Sequence, residues 1–573
     1  MAKKTLSRRS LETSSAVRGL SIERQVGQQE PSKDELNAQK LFKKGQSFLK
    51  RDKPREAASL ILKGLKLDGE DIFGLKLLAD ALTKMGRNRF AIQTYEHALE
   101  LAPDDMELHF GLGNLALAMD MNEVAAQFFG IYTQNCPDDP NGYTNLATAW
   151  RNLEKFDDVI TLMQSVLPRF PDSSLLWNAL AAAVYLRDDM EAAIPFYEEA
   201  LRIAPDSAMT LSNLAKCMEY IGDFERAIEL SKRALKADKT LKEPRMIMAN
   251  CQIAAGYLVE GWKNYAVRFD PQRVGTTFYT HGKPEWRGED ISDKTILICP
   301  EQGIGDEIVF ANTFGELIGQ AGKCLIGCDP RLISLFSRSF PTADIGPYVD
   351  QWADAHRYRS IPFAQGENAP QVDYAIPAGE LMKFFRPTTE SFPERAGYLT
   401  PDPERVAFWK ERLDALGPGP KVGIAWRSGK KNADRDRYHT SLDQWGPIFG
   451  NQDVHFVNLQ YDDCAEELAA AHAQHGVYIH DWDDINLKDD LDDVAALMAA
   501  LDLVISSGTA VGAMSLAVGT ETWILWVTNG WSFGRQDRPA LSVKSRCFSW
   551  PEGGAWPEVI DSVGSELKKF AAS

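Results

Sequence analysis

Met190-Glu-Ala-Ala-Ile-Pro-Phe-Tyr-Glu-Glu-Ala-Leu-Arg-Ile-Ala-Pro205 is a helix-length run closed by a proline, and its features recur along the first half of the chain. Its Ala193 belongs to the series Ala57, Ala91, Ala125, Val159, Ala193, Ala227 and Gly261, spaced 34 residues apart. A second small series, Gly45, Ala79, Gly113, Ala147, Ala181, Ala215 and Ala249, runs on the same period. So do Pro103, Pro137, Pro171 and Pro205, with Gly69 and Lys239 at the flanking positions. Three series on one period mark a repeat array. Small residues let two helices approach closely, and a proline beyond the second helix cannot continue it. Ile61, Tyr95, Phe129, Met163, Tyr197 and Tyr265 are read as filling the space between units. The spacing predicts an α solenoid, a superhelix of about seven units over residues 35–270.

This pattern resembles the tetratricopeptide repeat, whose concave face holds a peptide or a helix of another protein. Asn145, Asn178 and Asn213 fall near equivalent positions of three units and are the candidate acceptor-binding residues. Trp150 and Trp177 read as packing within the repeat. Gly256-Tyr-Leu-Val-Glu-Gly-Trp262 departs from the usual start of a second helix, as a capping or docking repeat does. Residues 1–34, with seven Lys or Arg and no periodicity, are expected to be a disordered basic arm.

Composition excludes several classes. Asp and Glu number 81 against 63 Lys and Arg, a formal charge of −18, which argues against nucleic acid or anionic membrane as partner. No apolar run reaches the roughly 18–20 residues of a spanning helix. Ser7-Arg-Arg-Ser-Leu11 lacks the apolar stretch of an export signal, so a cytoplasmic location is expected. The eight cysteines contain no Cys-x-x-Cys pair and read as reduced thiols, with no metal site expected.

From about Lys294 short apolar runs alternate with helical ones, the sign of an α/β region with parallel strands. Thr295–Pro300, Lys323–Cys328, Lys421–Trp426, Val454–Leu459, Leu503–Ser506 and Thr522–Trp526 read as strands, and Asp306–Ile318, Arg331–Arg338, Leu491–Leu501 and Trp556–Phe570 as helices. Residues 271–415 and 416–573 are expected to form two Rossmann-like lobes joined at Gly417-Pro-Gly-Pro420, with a terminal helix crossing back to the first. Three strand-to-helix turns carry candidate chemistry. In Glu301-Gln-Gly-Ile-Gly-Asp306, Gly303 and Gly305 permit close backbone approach to a ligand, while Asp306 either caps the helix or faces the site. Arg427, Lys430, Lys431, Arg435 and Arg437 concentrate positive charge in a way that suits a phosphate or nucleotide. Ser506-Ser-Gly-Thr-Ala-Val-Gly512 is a second candidate phosphate cradle. The acidic run Asp481–Asp493 reads as complementing a helix N-terminus.

Together with Asn458-Leu-Gln460 and Asp493–Ala510, these motifs resemble the glycosyltransferase-B (GT-B) superfamily, in particular its heptosyltransferase-like group. Both halves taken together resemble bacterial flagellin glycosyltransferases. The resemblance implies a GT-B enzyme that transfers a pseudaminic acid-like nonulosonic acid from a CMP-sugar to Ser or Thr of flagellin, without metal or cofactor, the repeats holding the flagellin. It implies Asp306 as catalytic base and Gly303, Gly305, Arg427, Lys430, Lys431, Gln460, Ser507, Gly508, Thr509 and Ala510 as donor-binding residues. Gly508 and Ala513 stand where heptosyltransferases carry an acidic residue and a histidine, which points to a different sugar nucleotide. The alternatives are an O-linked N-acetylglucosamine transferase type using a UDP-sugar, and a repeat-based binding protein or chaperone with an inactive transferase half.

Overall fold

Each helix of the first half carries an apolar stripe too wide to be buried alone, so the helices pair. The computed structural model describes residues 32–366, 369–429, 438–527, 532–535, 537–550 and 555–572. The hairpins are α1 (Lys33–Lys50) with α2 (Pro54–Leu65), α3 (Ile72–Lys84) with α4 (Asn88–Leu101), and α5 (Met106–Ala118) with α6 (Asn122–Asn135). They continue as α7 (Pro140–Asn152) with α8 (Phe156–Val166), α9 (Ser174–Arg187) with α10 (Met190–Ile203), α11 (Ala208–Ile221) with α12 (Phe224–Ala237), and α13 (Glu243–Ala254) with α14 (Leu258–Tyr265). Both small-residue series are buried throughout, as the close approach requires. A Cβ at Gly45 would lie 2.5 Å from Ile61, and one at Gly113 2.7 Å from the Phe129 ring. These large residues therefore sit on the small residue of their own hairpin; Tyr95 also reaches the next unit, 2.6 Å from where Gly111 would carry a Cβ. The turn inside each hairpin adds a signal invisible to composition. Asp52, Gly86, Asp120, Glu154, Gly222 and Gly256 all have positive φ on the same period, and only Asp188 departs, with φ −99°.

The chain divides into two compact units between Pro205 and Asp206, so the sixth and seventh hairpins belong with the α/β region. That region contains β1 (Thr277–Tyr279), β2 (Thr295–Cys299), α15 (Ile304–Phe310), α16 (Phe314–Ile318), β3 (Lys323–Cys328) and α17 (Ile333–Ser339). Then come β4 (Asp344–Pro347), β5 (Val349–Ala353), β6 (His356–Ser360), β7 (Tyr374–Pro377), α18 (Met382–Phe385) and α19 (Pro403–Asp414). The chain continues with β8 (Lys421–Ala425), α20 (Gly446–Phe449), β9 (His455–Asn458), α21 (Ala465–His475), β10 (Ile479–His480) and α22 (Leu491–Ala500). It ends with β11 (Leu503–Ser507), α23 (Ala510–Val518), β12 (Thr522–Trp526), β13 (Ser545–Ser549) and α24 (Trp556–Ala572). One parallel sheet has the order β4-β3-β2-β7 and a second β10-β9-β8-β11-β12-β13. A small sheet, β1-β6-β5, stands beside the first, its β5–β6 hairpin turned by Asp354 and Ala355, both at positive φ.

The seventh hairpin docks into the α/β core, as its altered sequence suggests. Trp262 is buried, its ring centroid 6.4 Å from Phe310 and 6.0 Å from Phe533, and its indole N–H donates to the Arg386 carbonyl at 3.0 Å. At the turn before α14, Gly256 meets Gly534 so closely that a Cβ on Gly534 would lie 2.7 Å from the Gly256 Cα. Two expectations are corrected. The helix α19, placed before the expected boundary at 415/416, packs on α22: Arg405 pairs with Asp493 at 2.7 Å, and the Trp409 indole donates to it at 2.8 Å. The chain has thus already joined the six-stranded layer before Gly417–Pro420. The terminal helix α24 packs on α20 and β13 of that same layer instead of returning to the first, because its apolar face of Ile560, Val563 and Leu567 is buried there and Gly564 backs onto Pro447.

Candidate active-site cleft

The loop after β2 opens α15 at the C-terminal edge of the four-stranded sheet. Gly303 is the N-cap in extended conformation, and Asp306 at the third helical position accepts from the Gly303 backbone N–H, so the side chain reaches back over the helix start. Asp306 keeps part of its surface open to the cleft, and no ion pair holds it among the described residues. Burial, then the neighbouring Glu301 carboxylate, push its carboxyl up to about 7, against a lowering pull from Arg268. Glu307 beside it is buried, its Oε2 accepting from the Asp329 N–H at 2.9 Å, and burial raises its carboxyl to about 8.

Facing this loop is the start of α23. Gly305 lies against Ala510, so close that a Cβ on it would be 3.5 Å from the Ala510 Cα. The first internal bond of α23 runs from the Ala513 N–H to the Thr509 carbonyl, leaving the amides of residues 510–512 without intrahelical partners. Thr509 Oγ1 is buried without a hydrogen-bond partner among the described residues. Gly508 is required by Trp526, whose indole Nε1 would lie 1.9 Å from a Cβ there. Between the two walls is a cleft of about 940 Å³. Tyr348, Asp350, Arg357, Arg359 and Asp329 line it from one side, and Leu459, Tyr461, Lys488, Val494 and Met514 from the other. Arg331 bridges the walls: it grips Asp329 with two 2.9 Å bonds and donates to the Lys488 carbonyl at 3.0 Å. Arg338 makes a second bridge, bidentate to Asp492 at 2.8 and 2.9 Å.

Of the residues expected from sequence, Gly303, Gly305, Asp306, Gly508, Thr509 and Ala510 line this cleft. Arg427 does not: its guanidinium is engaged by Glu467 at 2.9 Å and by Asp462, which makes it a buried strut for the loop after β9. Gln460 is likewise consumed, accepting from the Arg427 N–H at 3.3 Å and donating to Asp462 at 2.7 Å. The Ser507 hydroxyl donates to the Trp426 carbonyl at 2.6 Å, tying β11 to β8. Lys430 and Lys431 lie outside the described residues. The Asp481–Asp493 run is spent on structure: Asp490 caps α22 through the Asp493 N–H, and Asp484 pairs with Arg412. Lys488 was not singled out by sequence, and its ammonium pairs with no carboxylate among the described residues. Nothing local marks it, because it becomes a cleft residue only when the two sheets meet. In the first unit, the Asn145 amide donates to Asn114 at 3.0 Å and Asn178 is half-buried; Asn213 belongs to the second unit. Trp177 is held in its own repeat by Pro171 at 2.8 Å and Phe196.

The tetratricopeptide-repeat models match residues 76–140 and 172–240. Among solved structures, PilF of Pseudomonas aeruginosa is 15% identical, covering 38% of this chain and 99% of its own, with a TM-score of 0.32. MamA of Desulfovibrio magneticus RS-1 is 19% identical, covering 30% and 97%, with a TM-score of 0.27. Protein FlbA of Caulobacter vibrioides is 35% identical over 534 residues, which are 92% of this chain and 88% of that protein. The alignment therefore spans repeats and α/β region alike, and the chain belongs to the FlbA family.

Proposed function

We propose that the chain is a metal-independent GT-B glycosyltransferase that moves a pseudaminic acid-like nonulosonic acid from a CMP-sugar to Ser or Thr of flagellin in the cytoplasm. The observation that carries this reading is Asp306 in a cleft between two parallel sheets, next to the open N-terminus of α23. A carboxyl titrating near 7 is poised as a general base at neutral pH. The acceptor hydroxyl oxygen bonds to the anomeric carbon while its proton passes to Asp306. The bond from that carbon to the CMP phosphate breaks, and its electron pair leaves with the phosphate oxygen. The amides of residues 510–512, which have no intrahelical partners, together with Thr509 Oγ1 and Lys488, are the groups this reading assigns to hold that phosphate. Lys430 and Lys431 remain candidates on sequence grounds alone. In this reading Arg427 and Gln460 shape the donor side without touching the donor. The repeats supply the flagellin-binding surface; the flagellar assignment rests on the sequence resemblance.

The test is direct. Flagellin incubated with the full chain and a CMP-nonulosonate is expected to gain the sugar's mass on Ser or Thr. Gain from a UDP-sugar instead, or no gain from either, contradicts the assignment.

A further inference from the structure

The loop that presents Asp306 is held from outside its own sheet. Arg268, in the 3₁₀ turn that follows α14, is fully buried and reaches into the α/β core. Its Nη2 lies 2.9 Å from Glu301 Oε1 and its Nη1 2.7 Å from Glu380 Oε1, all three side chains being at most 5% exposed. Its carbonyl also accepts from the Gln302 side chain at 3.4 Å. Gly379 completes the nest: its N–H donates to Glu301 at 2.8 Å, and a Cβ there would lie 2.8 Å from both the Arg268 and the Glu301 side chains. Arg359 donates to the Glu301 carbonyl and Arg357 to that of Gln302 at 2.8 Å. Glu301 is thus the anchored end of the stretch that ends in Asp306, and its main cationic partner comes from the last turn of the repeat half.

We propose that Arg268 is a positioning residue for Asp306, fixing Glu301 and setting the charge that Asp306 experiences, so that the repeat half completes the cleft. The proposal deepens the transferase reading above and rests on it for the role of Asp306. Among the described residues, the charged and titratable groups that act on Asp306 are Glu301 on its own loop, Glu307 on its own helix, Tyr265 and Arg268 from the repeat end, and Glu380 behind Arg268, with Asp329, Arg357, Arg359 and Lys488 on the walls of the same cleft; α23 presents no charged side chain. Glu301 raises the Asp306 carboxyl and Arg268 lowers it, which agrees with the geometry. Neutralising either one therefore moves Asp306 in opposite directions, a behaviour that simple loosening of the fold cannot produce.

The experiment uses the full chain and its Arg268→Met, Arg268→Lys and Glu301→Gln variants. Carbodiimide labelling of Asp306, which reports its protonated fraction by peptide mass spectrometry, is followed against pH, alongside the pH profile of sugar transfer to flagellin. The expected result is a labelling midpoint raised by about one unit in Arg268→Met, lowered by a similar amount in Glu301→Gln, and largely restored in Arg268→Lys. The acid limb of transfer is expected to move with it, so that transfer at pH 6.5 falls roughly tenfold in Arg268→Met. If Arg268→Met does not fold, Glu301→Gln carries the test, since Arg268 keeps Glu380 as a partner there and the labelling midpoint is still expected to fall, with Arg268→Lys expected to stay near the wild-type value. Midpoints that stay put in Arg268→Met or Glu301→Gln, or that shift in the same direction in both, overturn the proposal. Labelling shifts as expected with no transfer in any sample uphold the Arg268 assignment and count against the transferase reading.

Discussion

Three carboxyl groups, Glu219 and Asp306 near 7 and Glu307 near 8, are held protonated by burial well above the pH at which an unfolded chain would ionise them. Between about pH 4 and 8 these three groups bind more protons in the folded than in the unfolded state, so their contribution to stability falls as pH rises through that window. It is opposed in part by the buried His109 and the half-buried His281 and His480, whose imidazoles burial holds below their ordinary value. Urea unfolding at pH 5 and pH 8 is expected to show this fall, and Glu307→Gln to recover about 1–3 kcal/mol of it at pH 8 while changing little at pH 5. At Gly508 the expectation is steric: Gly508→Ala forces the Trp526 indole aside and costs about 1–3 kcal/mol, readable as a lowered Tm. Residues of this kind divide the site into what sequence could and could not reveal. Asp306 was legible because a strand, two glycines and a helix start place it within six residues. The place of Arg427 is not legible in sequence because its partners, Asp462 and Glu467, arrive 35 and 40 residues later and convert an exposed-looking cation into a strut.

The helical hairpins were legible to within a few residues, because a 34-residue period fixes where small residues, large residues and prolines must fall. The parallel strands of the second half were legible for the same kind of reason, as short apolar runs buried on both faces. The β5–β6 hairpin was not, since β5 is mostly exposed, β6 is polar and half-buried, and the hairpin turns on Asp354 and Ala355 where no glycine announces a turn. The helix expected over Asp306–Ile318 is broken at Ala311–Thr313 into α15 and α16, where Arg386 and Arg395 donate to the Asn312 carbonyl at 2.9 and 2.6 Å. At the same scale, Gly256 joins the seventh hairpin to Gly534, both at positive φ and in backbone contact. Gly256→Val is expected to cost about 2–3 kcal/mol, from left-handed strain and collision combined, and to expose this junction to limited proteolysis.

At the scale of the whole chain, sequence put the boundary at the end of the repeat and packing put it two hairpins earlier. The reason is Trp262, Tyr265 and Arg268, repeat residues by register that are core residues of the α/β region by contact. A fragment of residues 206–573 is expected to fold cooperatively by circular dichroism and thermal melting. One beginning at 271 leaves Phe310 uncovered and Glu301 and Glu380 buried without Arg268, and is expected to aggregate. Trp262→Ala in the full chain is expected to cost about 3–5 kcal/mol in the second unit. In the proposed function the cleft around Asp306 transfers a sugar to flagellin, and the intact mass of flagellin reports that transfer. With the full chain and a CMP-nonulosonate, flagellin should gain the sugar's mass, and Asp306→Asn of equal thermal stability should slow that gain by about 10²–10⁴-fold. Flagellin of unchanged mass with the wild-type chain, or an undiminished rate with Asp306→Asn, would contradict it.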